Sequence, residues 1–165
     1  MPAKGSRIGG FHTAGVHATR TLALIVEDDP ATRTLEEAVL EADGFAVLTA
    51  NNGEEGIHLA YERRPAVILL DLALPRASGF DVLATLKSSP ATVNIPVVVI
   101  SAYTMLVENC VSRGAATCVQ KPFDTDDLVM QVRHALKMAV DQQALKVPTY
   151  ALTPGLDSRS VVGQS

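Results

Sequence analysis

The strongest constraint on this chain is a set of short apolar runs that each end abruptly in polar side chains. Leu-Ala-Leu-Ile-Val at 22–26 stops at Glu27-Asp28, Ala-Val-Ile-Leu-Leu at 66–70 stops at Asp71, and Ile-Pro-Val-Val-Val-Ile at 95–100 stops at Ser101. A weaker run, Thr-Cys-Val-Gln at 117–120, stops at Lys121. Apolar runs of this kind are what parallel strands covered on both faces require, because neither side of such a strand meets water. In open α/β sheets, ligands bind outside the carboxyl ends of the strands. Acids, a hydroxyl and an ammonium are therefore expected together on one rim.

The stretches between the runs carry helix signals. Asp29-Pro30 offers an N-cap followed by proline at the first helical position, and Leu35, Ala38, Val39 and Ala42 recur at helical spacing before Gly44. Residues 45–50 form a short second strand. Asn51-Asn52-Gly53 then turns into a helix with Glu54 and Glu55 in its first turn and Ile57, Ala60 and Tyr61 facing inward. Ser78 and Asp81 resemble a capping box that opens a helix with Leu83 and Ala84 facing in. A helix after Ser101 carries Val107, Cys110 and Val111 and stops at Gly114. Asp124 and Asp127 cap the last helix, whose stripe is Leu128, Val132, Ala135, Leu136 and Ala139. Strand and helix alternate five times, which predicts an α/β domain with a doubly wound parallel sheet.

A chain of 165 residues holds one such core with some length to spare. Residues 1–20, rich in Gly, Ala, Thr and His without periodicity, are expected to be a flexible leader, and 21–140 the folded domain. Residues 141–165, with Pro148, Pro154-Gly155 and a Ser/Gln-rich end, are expected to be a mostly disordered extension without an output domain. The net charge is −4, and residues 1–20 carry Lys4, Arg7 and Arg20 with no acid, so the domain itself is more acidic than the total. That balance argues against a general nucleic-acid surface. Cys110 and Cys118 make neither a disulfide framework nor a zinc spacing. They are expected as small buried hydrophobes in a reducing compartment, with a redox pair as the lesser alternative. No stretch approaches the length of a membrane span and no signal peptide is evident, so a cytoplasmic location is expected.

On the rim, Glu27 and Asp28 are adjacent and Asp71 closes the neighbouring strand. Converging carboxylates repel by roughly 1 to 4 kcal/mol per close pair, so such a cluster needs compensation. Hard oxygen ligands suit Mg²⁺, which takes one or two carboxylates, water and a phosphate oxygen. Ser101 and Lys121 then suit the remaining phosphoryl oxygens as hydroxyl and ammonium. Taken singly, each residue has an ordinary structural role: an acid after a strand caps a helix, a serine caps too, and Lys-Pro makes a turn. Asp71 is harder to place that way, because an unpaired buried carboxylate is costly.

At these residues the chain resembles the receiver domains of two-component response regulators. The motifs are Leu24-Ile-Val-Glu-Asp-Asp-Pro30, Asp71-Leu-Ala-Leu-Pro75 with Gly79, Ile100-Ser-Ala102, Gly114-Ala115 and Lys121-Pro-Phe123, within about residues 20 to 140. The resemblance implies a flavodoxin-like fold, a five-stranded parallel sheet ordered 2-1-3-4-5 with the motifs at its switch point. It implies that Asp71 accepts a phosphoryl group from a histidine kinase or phosphotransfer protein, and that Glu27, Asp28, Asp71 and the backbone carbonyl of Ala73 hold Mg²⁺. Ser101 and Lys121 would contact the phosphoryl group. The implied protein is a stand-alone cytoplasmic switch for protein–protein interaction. It would not be an enzyme beyond its own phosphorylation and dephosphorylation, and it would have a downstream protein target but no direct nucleic-acid or membrane contact. A homodimer is compatible with the resemblance. Val119 and exposed positions of the last two helices are the expected partner contacts.

The chain departs from the family's usual pattern in places. Cys118 stands where the family usually has Tyr or Phe, so the usual coupling of that ring to the hydroxyl is in doubt; Tyr103 is the nearest aromatic. The stretch from Ser101 to Gly114 is shorter than usual. A phosphorelay shuttle and a phosphate-independent scaffold are the rival readings. A phosphatase with an aspartyl-phosphate intermediate is disfavoured, because the position two after Asp71 is Ala73 rather than a second acid.

Overall fold

The computed structural model describes residues 19–103 and 109–146. Five strands, β1 (Leu22–Val26), β2 (Ala46–Ala50), β3 (Val67–Asp71), β4 (Val97–Ser101) and β5 (Thr117–Gln120), form one parallel sheet in the order β2-β1-β3-β4-β5. The order agrees with the one the resemblance implies. Strands β1, β3 and β4 lie inside the sheet, and β3 and β4 are buried along their whole length. Alternate residues feed two separate apolar layers. Leu24, Val26, Ile68, Leu70, Val97 and Val99 enter one; Ala23, Ile25, Val67, Leu69, Val98 and Ile100 enter the other. The runs are unbroken because both faces are covered.

Helices on those faces among the described residues are α1 (Pro30–Ala42), α2 (Gly53–Arg63), α3 (Gly79–Ser88) and α4 (Thr125–Leu145). Helices α2 and α3 pack on the first layer through Ala60, Val82, Leu83 and Leu86. Helices α1 and α4 pack on the second through Leu40, Leu128, Val132 and Ala135. Each helix opens on the side-chain cap its sequence suggests: Asp29, Asn52, Ser78 and Asp124 accept from the backbone N–H of Thr32, Glu55, Phe80 and Asp126. Asp127 lies in the first turn of α4 rather than at its cap.

The inward faces differ from expectation in three places. On α1 the buried residues are Glu36 and Leu40, while Leu35, Ala38 and Ala42 face solvent and only Val39 is half-buried. A glutamate thus occupies a position the apolar pattern could not assign to the core. On α2, Ala60 turns inward and Ile57 packs half-buried against the core as expected, but Gly53 and Gly56 are buried beside them and Tyr61 lies outside. A Cβ on Gly56 would lie 2.7 Å from Val26 Cγ2, so the helix sits too close to β1 for a side chain there. On α3, Val82, Leu83 and Leu86 turn inward and Ala84 is exposed.

Two further expectations are corrected. Cys110 and Cys118, expected first as small buried hydrophobes and only second as a redox pair, are joined by a disulfide. After the single turn Val111–Arg113, Gly114 takes a left-handed conformation (φ 101°), and Ala115 N–H donates to the Cys110 carbonyl at 3.1 Å. The chain doubles back and brings the two Cα atoms to 6.7 Å, within bridging range. Val119, read as a partner contact, is 2% exposed and belongs to the core beneath α4.

Helix α4 continues through residue 140, where the extension was expected to start, to Leu145. The expected leader, Val107 and the Pro-containing tail fall on residues outside those described, apart from residues 19–20. There Arg20 reaches the carbonyls of Glu41 and Gly44, pinning the entry to β1 against the end of α1.

Candidate functional site

Backbone hydrogen bonds continue the sheet beyond the strand ends and so fix the rim residues in line. Glu27 N–H donates to Ala50 O at 3.1 Å, Leu72 N–H to Ile100 O at 3.1 Å, and Lys121 N–H to Ser101 O at 2.8 Å. The three acids expected from sequence come together: one carboxylate oxygen each from Glu27, Asp28 and Asp71 lies within 4.8 Å of the others. Glu27 is 1% exposed and Asp71 5% exposed, whereas Asp28 is open to solvent.

Lys121 reaches into this cluster from the loop after β5. Its Nζ lies 2.8 Å from Glu27 Oε2 and 2.7 Å from Asp71 Oδ2. Asp71 Oδ1 accepts from the Ala73 N–H at 2.9 Å, and Glu27 Oε1 accepts from the Asp29 N–H at 3.0 Å. Both buried acids are thereby satisfied, by an ammonium on one side and a backbone amide on the other. Burial pushes the Glu27 carboxyl above its ordinary pKa, against the bonds from Lys121 and Asp29 N–H, and the Asp71 charge pushes the same way. Burial alone would pull the Lys121 ammonium down. The bonds to Asp71 and Glu27 outweigh it and hold that pKa above the ordinary lysine value.

Ser101 is fully buried at the end of β4, and its Oγ accepts from the Tyr103 N–H at 3.1 Å. Tyr103 is 63% exposed, so its ring stands out from the rim rather than filling the space beside Cys118. Cys118 lies on β5 opposite Val99.

Three residues near the site have contacts or burial that the sequence did not indicate. Arg33 of α1 donates from Nη1 to Glu27 O at 2.9 Å and to Asp28 O at 3.3 Å, fixing the turn that carries both acids. Gly79 opens α3 directly against the strand end: a Cβ there would meet Asp71 O and Leu72 Cα, each at 2.5 Å. Sequence reading placed Gly79 in a motif but gave it no contact. Glu36 lies buried in α1, its Oε1 without a hydrogen-bond partner. Burial, followed by the charges of Glu27 and Asp71 and opposed by Lys121, raises its pKa to about 8. The signal for Glu36 was its spacing four residues before Leu40, on the same helical face.

The donor set fits a small hard cation. Three carboxylates converge and one of them faces solvent, a set of hard oxygen donors. Among the described residues no helix is long and apolar enough to cross a membrane.

Comparison with known proteins agrees with this geometry. The family model described as the response regulator receiver domain matches residues 23–133. The cell cycle transcriptional regulator CtrA of Caulobacter vibrioides is 32% identical over 140 residues, 84% of this chain and 60% of the relative. The DNA-binding dual master transcriptional regulator RpaA of Synechocystis is 35% identical over 116 residues, 69% of this chain and 48% of the relative. The chain thus spans about half to three-fifths of these relatives' lengths. Among solved structures, the signal receiver domain of a LuxO repressor protein from Vibrio parahaemolyticus superposes with a TM-score of 0.70 at 26% identity, covering 78% of this chain and 99% of that one. The receiver domain of the sensor histidine kinase PA1611 from Pseudomonas aeruginosa superposes at 0.67 with 25% identity, covering 72% and 98%. That structure has a magnesium ion coordinated in its active-site cleft.

Proposed function

Because this chain belongs to the response regulator receiver domains, the signal-receiving modules of two-component systems, we propose that Asp71 is its phosphoacceptor. The observation that carries this reading is the placement of Asp71: nearly buried at the end of β3, between two further acids and the Lys121 ammonium. A carboxylate so placed is a nucleophile on a rim that already compensates negative charge. A carboxylate oxygen of Asp71 forms the new bond to phosphorus as the bond to the donor's leaving group breaks. Lys121, already in contact with Asp71 Oδ2, stays beside the new anion as a point charge. Ser101 holds its hydroxyl at the end of the adjoining strand, where turning it toward the phosphoryl oxygens costs one weak bond from Tyr103 N–H.

Glu27, Asp28 and Asp71, with the Ala73 carbonyl, would hold Mg²⁺. Bound there, the cation offsets the charge of the incoming phosphoryl group. Arg33 positions the loop that presents Glu27 and Asp28.

The donor is a histidine kinase or a histidine phosphotransfer protein, and the output is altered affinity for a protein target, in the cytoplasm. Phosphorylation adds roughly −1.5 to −2 charge at one end of β3, enough to shift a two-state arrangement of neighbouring segments. Chemistry at the site is confined to gain and loss of that phosphoryl group, without turnover of a separate substrate. Nucleic-acid contact by the described residues forms no part of this reading, since the chain carries a net −4 and its rim is acidic. The test is intact mass after incubation with Mg²⁺ and an acyl phosphate. The wild type gains one phosphoryl group, and Asp71→Asn or chelation abolishes the gain. A gain that survives in Asp71→Asn would overturn the assignment.

A further inference from the structure

The Cys110–Cys118 pair is chemistry that the phosphoacceptor site does not use. Cys110 is fully buried in the layer beneath α3, at the end of the segment that leaves the rim from Ser101. Cys118 is half-buried on β5, three residues before Lys121. The turn between them is held by its own backbone bonds, Gly114 N–H to Val111 O and Ala115 N–H to Cys110 O. This fold therefore sets the Cα atoms 6.7 Å apart through the backbone path, and the bridge closes a loop of small sequence separation.

The location gives the bridge a consequence. The segment between β4 and β5 starts at Ser101 and returns to Lys121, and these two rim residues are already tied by Lys121 N–H to Ser101 O. A bond from Cys110 to Cys118 fastens the returning part of that segment to the strand that carries Lys121. With the bond closed, residues 110–118 and β5 move as one piece. With it open, that covalent tie is gone.

We propose that Cys110 and Cys118 form a reversible thiol–disulfide site, through which a peroxide-class oxidant adjusts how the rim couples to the turn at residues 110–116. The half-exposed Cys118 thiolate attacks the O–O bond of hydrogen peroxide. One OH group transfers to sulfur as a sulfenic acid, and the other leaves as hydroxide, which takes up the proton released by the thiol to become water. The Cys110 thiol then attacks the Cys118 sulfur, the S–O bond breaks, and a second water leaves. The two sulfurs supply the two electrons that reduce the peroxide. A dithiol reductant restores both thiols by exchange through a mixed disulfide.

The order of attack follows exposure: Cys110 is sealed in the core, so it resolves rather than initiates. Only the effect on phosphoryl uptake rests on the proposed role of Asp71; formation of the bond does not.

The experiment uses the full chain, reduced and then treated with hydrogen peroxide. Thiols are counted by alkylation under denaturing conditions and by intact mass. Reduced protein takes two alkyl groups. Oxidised protein takes none, is lighter by two hydrogen atoms, and regains both sites on treatment with a dithiol. Cys110→Ala stops at the Cys118 sulfenic acid, trapped as a dimedone adduct. Amide exchange over residues 109–120 and phosphoryl uptake from an acyl phosphate are then read in both redox states, with slower exchange and an altered uptake rate expected after oxidation. Two alkylatable thiols surviving peroxide would overturn the site. A bond that forms but leaves both exchange and uptake unchanged would overturn the coupling. Failure of the reduced protein to take up phosphate would count against the role of Asp71, while alkylation and exchange still decide the present proposal. If Cys110→Ala does not fold, the two wild-type redox states suffice.

Discussion

Glu27 and Glu36 are the same residue type, each 1% exposed, one at the end of β1 and the other on the helix that follows. Glu27 has a cation at 2.8 Å on one oxygen and a backbone N–H at 3.0 Å on the other. Glu36 has neither, and its Oε1 is unpaired. Burial raises the pKa of both; at Glu27 direct bonds from Lys121 and the Asp29 N–H oppose the rise, whereas at Glu36 the Glu27 charge adds to it and Lys121 opposes it only through space. Equal burial thus has two outcomes. A buried acid with a lysine and an amide can serve as a ligand for a cation, and a buried acid without them stays protonated near neutral pH. A site on a strand end is built by what the neighbouring loops bring to it, as Lys121 is brought here from beyond β5.

The largest effect that could break this contrast lies at Glu36. Its folded pKa, about 8, is above its ordinary 4.5, so the folded state holds the proton longer. The stability associated with the protonated acid is full below pH 4.5, falls as pH rises, and is gone above pH 8. The loss is about 5 kcal/mol. Urea unfolding midpoints of wild type and Glu36→Gln, followed from pH 5 to pH 9, should diverge, with the variant much flatter. Parallel curves would mean that Glu36 finds a partner in solution and that the contrast with Glu27 is false.

Next in size is Lys121→Met, which leaves Glu27 and Asp71 without their cation. Removing one partner from a buried pair costs about 3 to 5 kcal/mol. Because Lys121 itself is partly exposed, the expectation here is about 2 to 3 kcal/mol at neutral pH. Denaturant titration at pH 7.5 measures it. An unchanged midpoint would show that the rim carboxylates are compensated by something other than Lys121.

How much of this was legible in advance differs by level. Strand positions and the caps at Asp29, Asn52, Ser78 and Asp124 follow from local rules that need no knowledge of neighbours, whereas the sheet order came only from the resemblance to receiver domains. The rim was legible for a related reason, since Glu27, Asp28, Asp71, Ser101 and Lys121 each end an apolar run and parallel strands align those ends. Helix orientation was less so. Glu36 and Gly56 face the core, one charged and one with no side chain, and an apolar pattern registers neither. Leu35 and Tyr61 mislead in the opposite sense, being apolar or aromatic and exposed. The cysteine pairing depends on a turn whose closure is a three-dimensional fact, and Val119 on which face of an edge strand is covered.

Adding Mg²⁺ sharpens the contrast at a smaller scale. At a free concentration about tenfold above its dissociation constant, a cation bound only by the folded state stabilises it by about 1.4 kcal/mol. Wild type should gain that much over protein in chelator, read as a rise in the thermal unfolding midpoint. Asp28→Asn should lose most of the gain, having given up the solvent-facing ligand, while Glu36→Gln keeps it. A gain that survives Asp28→Asn would place the cation elsewhere on the chain.

The smallest expected effect concerns a third acid beside the same loop. Asp29 is exposed and caps α1, its Oδ2 accepting from Thr32 Oγ1 at 2.7 Å and Thr32 N–H at 2.8 Å. Those bonds, the hydroxyl first, hold its pKa below the ordinary 3.8. The sign is opposite to that of Glu36: the contribution is present above pH 3.8 and is lost as pH falls through the depressed value. Asp29→Ala should lower the unfolding midpoint slightly at neutral pH, with the difference closing in strong acid, and Asp29→Asn should retain most of the cap. Mg²⁺ should stabilise both variants as it does wild type, because Glu27 takes its hydrogen bond from the backbone of residue 29 rather than from the side chain. If Asp29→Ala weakened the Mg²⁺ response as much as Asp28→Asn does, the cap and the cation site would be one unit, and the helix start would belong to the chemistry of the rim.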